Sequence, residues 1–153
     1  MRTAGELRSV KRCAAQLVPK GRTPAQREGL RYERKVRDAL RLALGDANVV
    51  HNPWFIFEDA EGSAYCCPDF IITLPYGIVV IEVKLSYVDE AIIKLRRLYC
   101  PVVAKAFGEA VTPLVICRHL TPLAPPAASA LGPALSLGVP LMHWLGLGPL
   151  PLA

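Results

Sequence analysis

From residue 120 to the end of the chain there is no Asp, Glu, Lys or Arg. That absence excludes an ordinary charged surface for the stretch, yet a membrane-spanning helix is excluded as well. Four glycines and four prolines fall within residues 131–153, with Pro140 in the middle, and they interrupt any continuous apolar helix. The expectation is a last strand over residues 139–145 and an apolar tail packed on the domain or on a second subunit. Also missing is any C-x-x-C pair: Cys13, Cys66, Cys67, Cys100 and Cys117 form no regular framework. The start of the chain carries no secretory signal pattern, so a reducing, intracellular (cytoplasmic) setting is expected.

The 153 residues suffice for one domain with a proper core, and a 52% hydrophobic content argues against disorder. The net charge of +5 is unevenly spread. Residues 1–44 hold 12 Lys/Arg against 4 Asp/Glu, residues 45–92 hold 1 against 8, and residues 93–119 hold 5 against 1. An acidic centre between basic flanks is what a metal site within a polyanion-binding surface requires, although solvated helix faces give a similar count.

The most informative stretch is residues 65–87. Two β-rich apolar runs, 70–74 and 78–85, flank Pro75-Tyr76-Gly77 and read as an antiparallel hairpin. Three charges interrupt runs that are otherwise apolar enough to be buried on both faces: Asp69, Glu82 and Lys84. With Pro75 and Tyr76 as the central turn residues, Leu74 faces Gly77, and counting back sets Asp69 opposite Glu82. Period-2 alternation puts Lys84 on the same face. Two carboxylates one cross-strand pair apart repel strongly in a poorly solvated site. A divalent cation offsets that repulsion, and hard oxygen ligands suit Mg²⁺ or Mn²⁺.

Pro68-Asp69, twelve residues, then Glu82-Val83-Lys84 resembles the signature of the PD-(D/E)XK nuclease superfamily. The resemblance covers roughly residues 24–117. It implies a restriction-endonuclease-like α/β core, a central mixed sheet flanked by helices in the order αβββαβ. It also implies that Asp69, Glu82 and the Val83 carbonyl bind Mg²⁺, that Glu33 on the first helix supports the metal, and that Lys84 acts on the attacking water. Some relatives carry an iron–sulfur cluster held by one early cysteine and a late trio; no such trio is present here, and no cluster is expected. The substrate implied is DNA, cut by a structure-selective enzyme of recombination, repair or phage DNA processing. Junction resolvases of this kind are dimers, so a homodimer is a further expectation. The alternative is a non-catalytic nucleic-acid-binding module that keeps the fold.

In chain order, Leu7, Val10, Ala14 and Leu17 suggest a short amphipathic helix within a basic segment 1–23, lying along nucleic acid or packed on the domain. Thr23-Pro24-Ala25-Gln26 has the form of a capped helix start, and a helix to about Leu44 follows with Leu30, Val36, Leu40 and Leu44 inward. Glu33 falls on or beside that inward stripe. Arg31 and Lys35, on its other faces, are candidate nucleic-acid contacts. Residues 49–57 read as a first strand, with Pro53 at an edge or bulge, and Glu58–Ser63 as a turn. His51 reads as structural. A second helix begins at Asp89, with Ile92, Leu95 and Leu98 or Tyr99 inward and Lys94, Arg96 and Arg97 as phosphate contacts. Lys94 and Tyr99 are loosely similar to the Gln-x-x-x-Tyr pattern of relatives, but the spacing departs from it and neither is carried over as catalytic. Residues 113–117 read as a strand parallel to an earlier one, and residues 24–119 as the core.

Overall fold

A computed structural model describes residues 2–17, 23–75, 77–119 and, for the backbone, 143–146. The long helix α1, Pro24–Leu44, starts as its sequence predicts: the Thr23 side chain accepts from the Gln26 N–H, and the Gln26 side chain accepts from the Thr23 N–H. Tyr32, Val36 and Leu40 are its buried stripe. Beyond it lie the strands β2 (Val49–His51), β3 (Trp54–Asp59), β4 (Gly62–Cys66), β5 (Phe70–Leu74) and β6 (Gly77–Ser86).

Where one strand is expected over residues 49–57, the structure has two, in different sheets. Asn52 adopts φ 51°, a left-handed conformation that Asn tolerates better than most residues, and Pro53 follows it. The pair turns the chain out of β2 and into β3. The turn expected at Glu58–Ser63 shrinks to Ala60 and Glu61, because Asp59 already pairs with Gly62 in the β3–β4 hairpin.

Five strands form the main sheet in the order β2-β5-β6-β7-β8, where β7 is Val111–His119 and β8 is His143–Gly146. The ten-residue β6 is its axis, antiparallel to β5 and parallel to β7. Parallel pairing demands a crossover, supplied by α2 (Asp89–Lys94), a π-helical turn (Leu95–Tyr99) and α3 (Cys100–Phe107), which ends on Gly108 at φ 70°. The chain is therefore mixed α/β. On one face of the sheet Tyr32, Val36 and Leu40 pack on Phe70, Ile72, Val79, Ile81 and Leu114. On the other, Leu95, Val102 and Val103 pack with Ile71, Val80 and Val115, joined by Phe55, Phe57 and Cys66 of the smaller sheet. The last strand, expected over residues 139–145, is described at 143–146, antiparallel to β7; residues 139–142 and the rest of the tail lie outside the described residues. Among the described residues, no helix is long and apolar enough to cross a membrane.

The N-terminal segment is not the expected helix over residues 4–17. Ser9–Cys13 form a strand, β1, which pairs antiparallel with β3 and completes a three-stranded sheet β1-β3-β4. Tertiary pairing outweighs the helical spacing of Leu7, Val10, Ala14 and Leu17, because β3 offers an open edge. Two further ties hold the segment. Pro101 has no N–H to give the carbonyl four residues before it, that of Arg97, and its ring would crowd that carbonyl in a regular α-helix. The π turn relieves the crowding, and the Arg97 carbonyl accepts instead from the Ala4 N–H at 2.8 Å. The buried Asp59 carboxylate accepts from the N–H groups of Gly5 (3.1 Å) and Glu61 (2.9 Å) and from the Arg2 guanidinium (2.5 Å).

Those donors hold the Asp59 carboxyl below its ordinary pKa, led by the Gly5 N–H and opposed by burial. A depressed folded-state pKa contributes stability above the unfolded carboxylate range and loses it as pH falls through the folded value. Asp59→Ala is expected to lower Tm at pH 7 and to lose less stability than the parent below about pH 4. Parallel Tm-versus-pH curves for the two proteins would show that the carboxylate does not anchor the segment.

Candidate functional site

The β5–β6 ladder runs Leu74 to Gly77 through Phe70 to Ile81, so one further step sets Asp69 opposite Glu82 as the sequence count expects. The turn's Tyr76 lies outside the described residues. Two backbone bonds fix Asp69: its Oδ2 accepts from the Val83 N–H at 2.7 Å, and its carbonyl accepts from the Asn52 N–H at 2.9 Å. The same Asn52 that diverts the chain into β3 therefore pins the start of β5.

Asp69 and Glu82 lie in an open cleft of about 640 Å³. One wall is α1, through Gln26, Gly29, Leu30 and Glu33, spaced to share one helical face. Asn52, Trp54 and Cys67 come from the small-sheet side, Val83, Lys84 and Leu85 from β6, and Lys94 and Tyr99 from the crossover helix. Of the residues expected at the site, Glu33, Asp69, Glu82, Val83, Lys84 and Lys94 line this cleft. Arg31, Lys35, Arg96 and Arg97 do not; all four are exposed elsewhere on their helices.

Glu82 is 2% exposed, an arrangement that costs several kcal/mol for a lone carboxylate. Two ammonium groups converge on its Oε1, Lys84 Nζ at 3.2 Å and Lys94 Nζ at 3.6 Å. Its Oε2 is buried without a hydrogen-bond partner. The Asp69 carboxyl is held well above the ordinary carboxylate pKa by burial first, then by the charges of Glu82 and Glu33, against the pull of the Val83 N–H and Lys84. Burial and the same three carboxylates push the Cys67 thiol up to about 12. Tyr99 is raised too, by burial and then by Glu82 and Asp69, and stays a neutral phenol.

Glu33 is turned toward a partner that sequence reasoning treated only as structural. Its Oε1 lies 2.7 Å from His51 Nε2, and the imidazole stacks on Phe70 at 4.7 Å. The link is invisible in sequence, since His51 and Glu33 lie on different elements 18 residues apart. Among the described residues, no group of three or more His, Cys, Asp or Glu comes together as a ligand set. Two carboxylates in a cross-strand pair, one with an orphaned buried oxygen, nevertheless fit a hard divalent cation at Asp69 and Glu82. Glu33 could support it only from across the cleft.

The crossover helix brings Lys94 to the cleft together with Tyr99. Tyr99 lies five positions after Lys94, a spacing that in a regular α-helix would point them apart. The π turn over Leu95–Tyr99 absorbs the additional residue, and Lys94 Nζ lies over the Tyr99 ring at 4.9 Å. Pro101, just beyond, is the sequence signal that could have shown it.

No known family model, curated protein or solved structure matches the chain.

Because the Asp69 pKa is raised on folding, its contribution to stability is complete below the unfolded value and is lost as pH rises through the folded one. Placing this carboxyl beside Glu82 and Glu33 thus opposes folding at neutral pH. Asp69→Asn, which still accepts from the Val83 N–H, is expected to raise Tm at pH 7 in EDTA, with the gain vanishing below about pH 4. An unchanged or lower Tm at pH 7 would contradict the crowding of these carboxylates.

Proposed function

We propose that the chain is a metal-dependent nuclease of the PD-(D/E)XK type, built on a restriction-endonuclease-like core and acting on DNA phosphodiester bonds. The observation that carries the reading is the cross-strand pair of half-buried Asp69 and buried Glu82, with Lys84 and Lys94 on one Glu82 oxygen and no hydrogen-bond partner on the other. The order α1, β2, β5, β6, crossover helix, β7, with β3 and β4 set aside in a second sheet, supports the core topology.

A Mg²⁺ or Mn²⁺ ion held by Asp69 and Glu82 would lower the pKa of a bound water and neutralise charge on the phosphoryl oxygens. The chain's own residues do the rest. Lys84 positions the attacking water and counters the charge that grows on the phosphate. Lys94, its ammonium steadied over Tyr99, adds a second fixed cation from the opposite wall. Glu33, oriented by His51, receives a hydrogen bond from water on the α1 side. Basic residues around the acidic cleft attract the polyanion, and Arg27 and Arg34, one turn either way from Leu30, are exposed beside the cleft wall. A structure-selective role in recombination, repair or phage DNA processing, a reducing cytoplasmic setting for the free thiols, and a homodimer belong to the same proposal.

The test is cleavage of labelled linear, flapped, single-stranded and four-way-junction DNA with Mg²⁺ or EDTA. EDTA and Glu82→Ala are each expected to abolish cutting while DNA binding persists. Lys84→Ala and Lys94→Ala should each slow it by roughly 10²–10³-fold, the scale of losing one preorganised charge-stabilising group. Activity retained in Glu82→Ala would remove the acidic pair from the chemistry. DNA binding with no cutting by the parent protein would favour a non-catalytic nucleic-acid-binding module.

A further inference from the structure

The small sheet β1-β3-β4 has one face committed to the core and one left open. Phe55, Phe57 and Cys66 fill the core side. Alternation sends Trp54, Ile56 and Glu58 to the other side. The register pairs Lys11 with Ile56 and Ile56 with Tyr65, giving one row across three strands. It also pairs Cys13 with Trp54, and one step past the Phe55–Cys66 pair brings Cys67 opposite Trp54, giving a second row. Trp54 and Cys67 both line the acidic cleft. The open face is therefore continuous with the site, and its rows are about 7 Å apart along each strand.

What this face presents is specific. Tyr65 is 51% exposed, so much of its ring faces solvent. Ile56 lies half-buried between Tyr65 and the exposed Lys11, the cation that β1 places on this face, whereas Arg12 pairs with Phe55 and lies over its ring on the other side. A third row, Ser9, Glu58 and Ser63, closes the patch with a carboxylate. A stable protein interface buries roughly 800 Å² per partner. Three apolar side chains, Tyr65, Ile56 and Trp54, rimmed by Lys11, Ser9, Glu58 and Ser63 fall short of that. A flat exposed ring in one row with Lys11, leading past Trp54 to a cleft lined by Lys84 and Lys94, instead matches the way unpaired bases are held: stacked on aromatics with the backbone along basic side chains.

We propose that the open face of β1-β3-β4 is a stacking platform for unpaired bases, with Tyr65 as its base contact and Lys11 as its phosphate contact. It guides a single strand past Trp54 into the Asp69–Glu82 cleft. What happens in the cleft rests on the nuclease reading; binding to the platform does not.

The experiment is fluorescence anisotropy of the full chain in EDTA with a labelled 12-nucleotide oligo(dT), the matching oligo(rU), and a blunt hairpin duplex. Tyr65→Ala is expected to weaken oligo(dT) binding by about 5- to 100-fold, on the scale of one lost base stack, and to leave the duplex unchanged. Tyr65→Phe should restore it. Tyr65→Thr, which keeps strand propensity, should lose as much as Tyr65→Ala and so separate a lost ring from a disturbed β4. Lys11→Gln should lower the salt slope for oligo(dT) by about 0.7. Oligo(rU) bound as tightly as oligo(dT) supports a platform that reads base faces rather than sugars, and weaker oligo(rU) binding supports one confined to DNA. No oligo(dT) binding by the parent protein, no change in Tyr65→Ala, or an equal loss on the duplex would overturn the platform. So would a fall in sedimentation coefficient for Tyr65→Ala, which would assign the patch to self-association. Tyr65-dependent binding without Mg²⁺-dependent cutting would sink the nuclease reading alone, and cutting indifferent to Tyr65 would sink the platform alone.

Discussion

The structure depends on one electrostatic constraint: two carboxylates on adjacent antiparallel strands, brought opposite each other by a register that the rest of the sheet cannot change. Shifting β5 by one residue against β6 would take Phe70 and Ile72 out of the α1-side core and turn Thr73 into it, so hydrophobic alternation enforces the Asp69–Glu82 encounter. The molecule relieves the encounter only in part. Lysines on β6 and on the crossover helix neutralise one Glu82 oxygen and the Val83 N–H steadies Asp69, while the second Glu82 oxygen keeps no partner. Strain held in place by a well-packed scaffold is the usual mark of a working site.

A second dependency runs from Pro101 outward. By denying the Arg97 carbonyl its helical donor, it accompanies the π turn that brings Lys94 over Tyr99 and into the cleft. The freed carbonyl is satisfied by Ala4, whose segment continues through Gly5 and Asp59 into β1. The basic N-terminal segment is thus built into the scaffold of the site, and a single loss of a backbone donor links residues nearly a hundred positions apart.

Much of this was legible in the sequence, for local reasons. The capped start at Thr23, the hairpin register around Pro75, and the parallel return of β7 after a helix all follow from short-range rules that tertiary contacts did not override. What the sequence hid was non-local. Leu7, Val10, Ala14 and Leu17 have helical spacing but meet the open edge of β3, where pairing wins. The break at Asn52 and Pro53 divides an unbroken β-rich run because the two halves serve different sheets. His51 and Glu33 meet only through the packing of α1 on β2. Lys94 is legible as a phosphate contact, but the π turn that sets it over Tyr99 is not. Arg31, Lys35, Arg96 and Arg97 were selected for charge, which says nothing of the direction in which a helix presents it.

Metal binding and nucleic-acid handling form one account: an acidic pair at the floor of a cleft, cations on both walls, and an open sheet face leading in. Its central claim is that Asp69 and Glu82 are brought together to hold a divalent cation. The most direct measurement is Mn²⁺ binding by the full chain, read by electron paramagnetic resonance and calorimetry beside Glu82→Gln. The account predicts saturable binding of Mn²⁺ by the parent protein, displaced by excess Mg²⁺ and lost in the variant. A parent protein that leaves Mn²⁺ free, or a variant that binds it equally well, would contradict it.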